Sequence, residues 1–421
     1  MSTLGTGGSC LGFRVRKFFS EGKGAGPLAR RDGGAAGEGT LNVIDDDADA
    51  APDAITFSGQ IGSTQVGALT VGSSTQGGSA IFTSTSGVNL GTLTVTGGDN
   101  AAEDSVAEFQ DSLTATSVTL DDNAGTATVT INTTNGAQTI AGTIDGAAAG
   151  EGTLVVKDDD DSAAAQAATF SGNIGATKKL GTITVGSTTE AGSAVFQGTV
   201  AATNISVTSG NADPEISAAE FQNALSATTV TLDEVNGTAT ITLNATNGAQ
   251  TVAGTIVSQT TAGEGTISVV DDDANVAPDT ITFSGKIGST NVYTTLTQVG
   301  DLTVGNATQG GSAVFTSTDG VSVDTVTVTG GDHSSEDSAV EFQDAFTVTS
   351  VTLDDNAGTA TLTINTTNGD QTIAGTIDGA SAGEGTVAVK DDDADAAAQA
   401  ATFSGNIGGS NSLGAITVGS T

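Results

Sequence analysis

Four runs of aspartate hold the densest packing of metal-ligating side chains in the chain: Asp45, Asp46, Asp47 and Asp49; Asp158, Asp159, Asp160 and Asp161; Asp271, Asp272 and Asp273; and Asp391, Asp392, Asp393 and Asp395. Calcium takes roughly six to eight hard oxygen ligands, so carboxylates packed in a turn, helped by carbonyls of a neighbouring segment, can supply a site. Filling it would remove like-charge repulsion and stiffen the surrounding structure. A second acidic loop holds Asp99, Glu103 and Asp104, matched by Asp332, Glu336 and Asp337 and only loosely by Asp213 and Glu215. The spacing fits neither the EF-hand loop nor the glycine-rich nonapeptide of calcium β-rolls. The competing reading is plain: solvated acidic loops that keep the chain soluble.

Paired carboxylates also serve glycoside chemistry as acid and base or as nucleophile. A site of that kind would be singular and supported by basic groups. Here the clusters recur, residues 36–421 contain no Arg, and the only histidine, His333, stands where an earlier repeat has Asn100. These features predict a non-enzyme, with a polysaccharide-active β-helix enzyme as the catalytic alternative. Tyr293 reads as a loop residue.

Threonine offers a different chemistry. Thr92, Thr94 and Thr96, and likewise Thr126, Thr128 and Thr130, are spaced to share one face of a strand. A flat array of such hydroxyls can order water on ice. Irregular coil lengths argue against a flat array here, and the bland alternative is the strand propensity of Thr on an exposed face.

The elements that carry these residues repeat. Ala-Gly-Glu-Gly-Thr, a short apolar stretch, the aspartates and then Thr-Phe-Ser-Gly begin at Ala36, Ala149, Ala262 and Ala382. The spacings are 113, 113 and 120 residues, and the extra seven lie around Asn291 to Gln298. The organisation expected is a basic, Gly-rich and disordered segment over 1–35, repeats at 36–148, 149–261 and 262–381, and a truncated repeat at 382–421. The broken fourth copy reads as part of a longer array. The N-terminus has no apolar run of the secretory type, which points to a start other than the natural one. Repeats one and three share Ala-Pro-Asp around Pro52 and Pro278. Repeats two and four share a lysine before the aspartates, Lys157 and Lys390. That alternation suggests growth by duplication of a two-repeat block.

Within each repeat, apolar residues alternate with Thr, Ser or Gly in short runs broken by Gly, Asn and Asp, which predicts strands and turns. Ala101 to Leu113 is open to a short helix or to a strand with a loop. Phenylalanine adds a finer period: Phe57, Phe82 and Phe109 are 25 and 27 residues apart, and Phe170, Phe196 and Phe221 are 26 and 25 apart. The Glu-Phe-Gln triplets at 108–110, 220–222 and 341–343 read as coil-positioning elements with Phe inside. Aromatic residues make up 4% of the chain and Trp is absent, so a thick core is out of reach. Small β-branched side chains stacked in layers give a thin one. The fold expected is all-β, an elongated right-handed parallel β-helix with two or three strands per coil; the alternative is a tandem array of β-sandwich domains.

Gln138 to Gly146, Ala168 to Gly175 and Leu180 to Gly186 resemble the β-helical repeats of large bacterial surface proteins, of the autotransporter-passenger and giant repetitive adhesin type. The resemblance covers residues 36–421. It implies a secreted or surface-held stalk that presents a binding surface to a surface glycan or a host or neighbouring-cell protein, or that self-associates. A surface-layer or filament subunit is the structural alternative.

Charge narrows the partners. Residues 36–421 hold five basic side chains against 47 acidic ones. That field repels nucleic-acid phosphates and anionic membranes. No stretch approaches the roughly 20 apolar residues of a membrane helix, so insertion by this segment is not expected. The single cysteine, Cys10, excludes an intrachain disulfide.

Overall fold

The computed structural model describes residues 36–45, 52–159, 165–211, 215–259, 262–272, 277–288, 298–392 and 399–419, together with the backbone of residues 12–16. They form a parallel β-solenoid of about 14 turns. Two single-turn 3-10 helices, Thr133–Asn135 and Thr366–Asn368, are the helical elements among the described residues. Neighbouring coils pair in parallel, Val88–Thr96 on Leu113–Asp121 for example, whereas β-sandwiches are built from antiparallel sheets. The sandwich alternative is therefore excluded. Residues 101–113 resolve as strand Ser105–Phe109 with its flanking turns.

Two compact units divide the chain, one comprising residues 1–160 and 166–182, the other residues 161–165 and 183–421. In the first, strand Gly12–Arg16 pairs with Thr40–Ile44, within the segment expected to be disordered; the rest of 1–35 lies outside the described residues.

Each coil carries three extended segments. In strand Leu113–Asp121 the buried residues are Leu113, Ala115, Val118 and Leu120. Alternation would place every second residue inside. The step of three from Ala115 to Val118 marks a corner, so one nine-residue strand serves two faces. At the equivalent corner of the next coil Gly142 has φ 105°, and a Cβ there would lie 1.8 Å from the Ala115 carbonyl oxygen. Only glycine fits that corner.

Stacking the coils produces three internal columns in the first unit. One runs Phe57, Phe82, Phe109, Ile131, Val156. A second runs Ile61, Val88, Leu113, Ile140, Phe170. The third runs Leu41, Leu69, Leu93, Val118, Ile144. All are buried, and the Phe rings stack at 5.0 and 4.8 Å. Each such side chain withdrawn from water contributes about 1.5–3 kcal/mol before chain entropy is charged against it.

The second unit repeats the plan. Phe283, Phe315 and Phe342 stack at 4.5 and 4.9 Å, and Phe346 stacks on Phe342 at 3.8 Å. The Phe of each Glu-Phe-Gln triplet is buried, as its spacing implies.

The first strand of repeat one, Glu38–Ile44, lies in the third column, whereas its counterpart Glu151–Lys157 lies in the first. A 113-residue repeat makes four turns and one third, so equivalent strands move to the next face with each copy. The second unit shows the same shift: Glu264–Val270 and Glu384–Lys390 stand in different columns. A one-third advance returns to register after three copies. The two-repeat alternation of the sequence is therefore not a folding period.

Candidate functional site

The first aspartate of every acidic run is committed to the backbone. One carboxylate oxygen of Asp45, Asp158, Asp271 and Asp391 accepts a hydrogen bond from the amide eight residues on, that of Asp53, Gln166, Asp279 and Gln399 respectively. Asp159 accepts from the amide group of Asn132 at 2.6 Å and pairs with Lys157 at 3.0 Å. Asp392 does the same with Asn365 at 2.9 Å and Lys390 at 2.8 Å. Asp46, Asp47, Asp49, Asp160, Asp161, Asp273, Asp393 and Asp395 lie outside the described residues. Among the described residues, no group of three or more His, Cys, Asp or Glu side chains is arranged to hold a metal ion.

Other carboxylates fasten one coil to the next. Asp104 accepts from both the amide and the hydroxyl of Thr126, at 2.7 and 2.8 Å, and Asp337 repeats this with Thr359. Asp122 accepts from the amides of Ala127 and Gly152, and Asp355 from those of Ala360 and Gly385. At a corner the chain leaves the sheet, and its N–H groups lose their ladder partners. A buried amide without a partner is costly, and a charged acceptor makes the stronger bond. These residues are corner caps.

A bracket that the sequence reading passed over holds the turn one coil beyond each Glu-Phe-Gln strand, after the strand that stacks on it. Asn132, Asn244 and Asn365 are buried and donate to Glu108, Glu220 and Glu341 at 3.0, 3.0 and 2.8 Å. Buried Gln138, Gln250 and Gln371 each donate to the carbonyl of that Asn. The signal was available as a Glu-to-Asn offset of 24 residues and an Asn-to-Gln offset of six, present in three copies.

Charge is balanced unevenly along these corners. Burial would raise the Glu341 carboxyl, but bonds from Asn365, Gln343 and Lys390 outweigh it and hold the group below its ordinary range. Burial opposes the charge on Lys390 too, yet its bonds to Asp392 and Glu341 raise it. At Glu220 the position matching Lys390 is Val270. Elsewhere burial prevails and repulsion adds to it. Burial raises Glu234, with Glu264 and Asp301 adding to it, and burial raises Asp354, with Glu384 and Asp355 adding. His333 is exposed, its amide donating to Glu336. Tyr293 lies outside the described residues.

Of the threonines expected on an outer face, Thr92, Thr94, Thr126 and Thr128 are at least partly exposed, whereas Thr96 and Thr130 are buried. In the second unit one face presents two rows. The first is Thr240, Thr266, Asp301, Thr325, Ser350, Thr376; the second is Thr242, Ser268, Thr303, Thr327, Thr352, Asp378. Between them, Ile241, Ile267, Leu302, Val326, Val351 and Ile377 point inward and are buried. The irregular coil lengths that argued against a regular array leave the pairing of the strands in register. Val299–Val304 follows Glu264–Val270 by 35 residues and Val321–Thr329 follows Val299–Val304 by 24, yet both pair without a shift along the matched residues. Unequal coil lengths therefore do not break the register of these rows, because hydrogen bonding fixes it within the strands.

Comparison with known protein families, curated proteins and solved structures finds no match to this chain.

Proposed function

We propose that the chain is a non-catalytic, repetitive stalk or passenger segment of a secreted or cell-surface bacterial adhesin, giving reach and a binding surface. The observation that carries this reading is the use of the carboxylates. In repeats one and three they cap backbone amides and tie coil to coil, and in all four copies the first aspartate of the acidic run binds the amide eight residues on. A scaffold built from nearest-neighbour contacts gains length with each added copy and presents the same side chains again. The excess of acidic side chains keeps such an array soluble and favours neutral partners such as glycans.

Beads coated with the chain test the reading. Adhesion to glycan-bearing or host-cell surfaces above that of beads coated with an acidic globular protein supports it; equal adhesion overturns it. Calcium bound in the acidic loops would stiffen the same scaffold. A melting midpoint identical in calcium and in chelator removes that part of the proposal.

A further inference from the structure

We propose that the two-row Thr/Ser face of the second unit, on strands Ala239–Asn244, Glu264–Val270, Val299–Val304, Val321–Thr329, Ser350–Asp354 and Thr376–Gly379, binds ice. Three observations point there. Ten of the twelve outward positions are Thr or Ser, with Asp301 and Asp378 the exceptions. The rows are periodic in two directions, about 4.8 Å from coil to coil and about 6.6 Å from row to row.

The hydroxyls are also unspent. Thr303 reaches the Ile267 carbonyl at 3.5 Å and Thr325 donates to Asp301. The hydroxyls of Thr240, Thr242, Thr266, Ser268, Thr327, Ser350, Thr352 and Thr376 make no hydrogen bond to the described residues. They contrast with the corner carboxylates, whose bonds are committed to the backbone.

The occupant follows from this chemistry. The face holds two isolated carboxylates, Asp301 and Asp378, in opposite rows and otherwise hydroxyls and methyls, so it offers no positive charge to an anionic partner, no clustered charge to a cationic one and no aromatic plane to stack on a sugar ring. A second copy would bring a net charge of −38 against one of the same sign. Ordered water is the partner that matches unspent donors and acceptors repeated at fixed spacing, with the methyl groups between them limiting alternative hydration. Bound water that bridges such groups costs little to immobilise when the groups are already fixed.

The test is partition of fluorescently labelled full chain into a slowly growing ice front. Wild type enters the ice. The T303K/T327K variant, shown by circular dichroism to melt as wild type does, enters about tenfold less, a loss near 1.4 kcal/mol; T327A serves if the lysines disturb folding. T361K/T363K, on a neighbouring face, enters as wild type does. D301T/D378T, which fills the two gaps, enters more. Wild type rejected by the front like a non-binding control, or equal entry of both lysine variants, overturns the proposal. So does binding to insoluble chitin or cellulose that T303K/T327K abolishes while no variant enters ice, which would assign the face to a glycan.

Discussion

Two faces of the second unit are built from the same coils and differ on both sides of the sheet. The hydroxyl face carries Thr or Ser at ten of its twelve outward positions and aliphatic residues within. Its neighbour presents Thr280, Ser312, Ala339, Thr361, Thr386, Ala415 and Thr282, Val314, Glu341, Thr363, Ala388, Thr417. Behind that second face stand Phe283, Phe315 and Phe342. The neighbouring face concentrates the aromatic core and the Glu341–Lys390 pair, so it carries more of the stability. The hydroxyl face is left free to vary outward. Because equivalent strands move round by a third of a turn per copy, each face takes its turn at both tasks.

Removing the aromatic core should give the largest effect. Phe315→Ala opens a cavity between Phe283 and Phe342 and should cost about 3–5 kcal/mol, read as a fall in denaturant midpoint. Val326→Ala behind the hydroxyl face should cost clearly less. Equal losses would break the comparison.

Next comes the corner bracket. Asn365→Ala removes the donor shared by Glu341 and Asp392 and should cost about 1–3 kcal/mol. Asn244→Ala, where Val270 replaces the lysine, tests whether the charge pair matters. A larger loss at Asn365 than at Asn244 supports it.

Acid should separate the corners further. The folded Glu341 carboxyl lies below its ordinary range, so its contribution is present above the unfolded value and is lost as pH falls through the folded one. Glu234 and Asp354 have raised values, so their penalty at neutral pH is relieved as pH falls through those values. Chemical denaturation from pH 7 to pH 3 should show K390M losing less than wild type on acidification. E234Q should gain at pH 7, by under about 1 kcal/mol for a half-buried group still screened by solvent, and nothing at pH 3.

The smallest effect should come from the hydroxyl face. Thr327→Ser should change stability by no more than about 0.5 kcal/mol, measured by the same denaturation.

The solenoid was legible because a Phe recurs about every 25 residues in part of each full repeat and period-two alternation survives in the sequence. So was the inward direction of each Glu-Phe-Gln phenylalanine. The corner caps were not, because Asp104 and Thr126 lie 22 residues apart and their contact depends on coil length. The third-of-a-turn advance was hidden for a related reason: strands such as Leu113–Asp121 bend at Ala115 without any break in strand character. Register of the threonine rows was obscured by unequal spacing between paired strands, 35 residues in one step and 24 in the next. The residue types in the acidic runs suggested metal chemistry, while the first aspartate's bond to an amide eight residues on leaves no mark in residue type.

Spin labels offer the most direct measurement of the shared-face claim. With Cys10 replaced by serine, labels at Thr266→Cys and Thr376→Cys sit four coil steps apart on one face, and double electron–electron resonance should give a narrow distribution near 19 Å at about 4.8 Å per step. If each repeat were instead a separate globular domain, residues 110 apart would lie about a domain diameter apart, roughly 30 Å or more, and a distribution centred there would contradict the account.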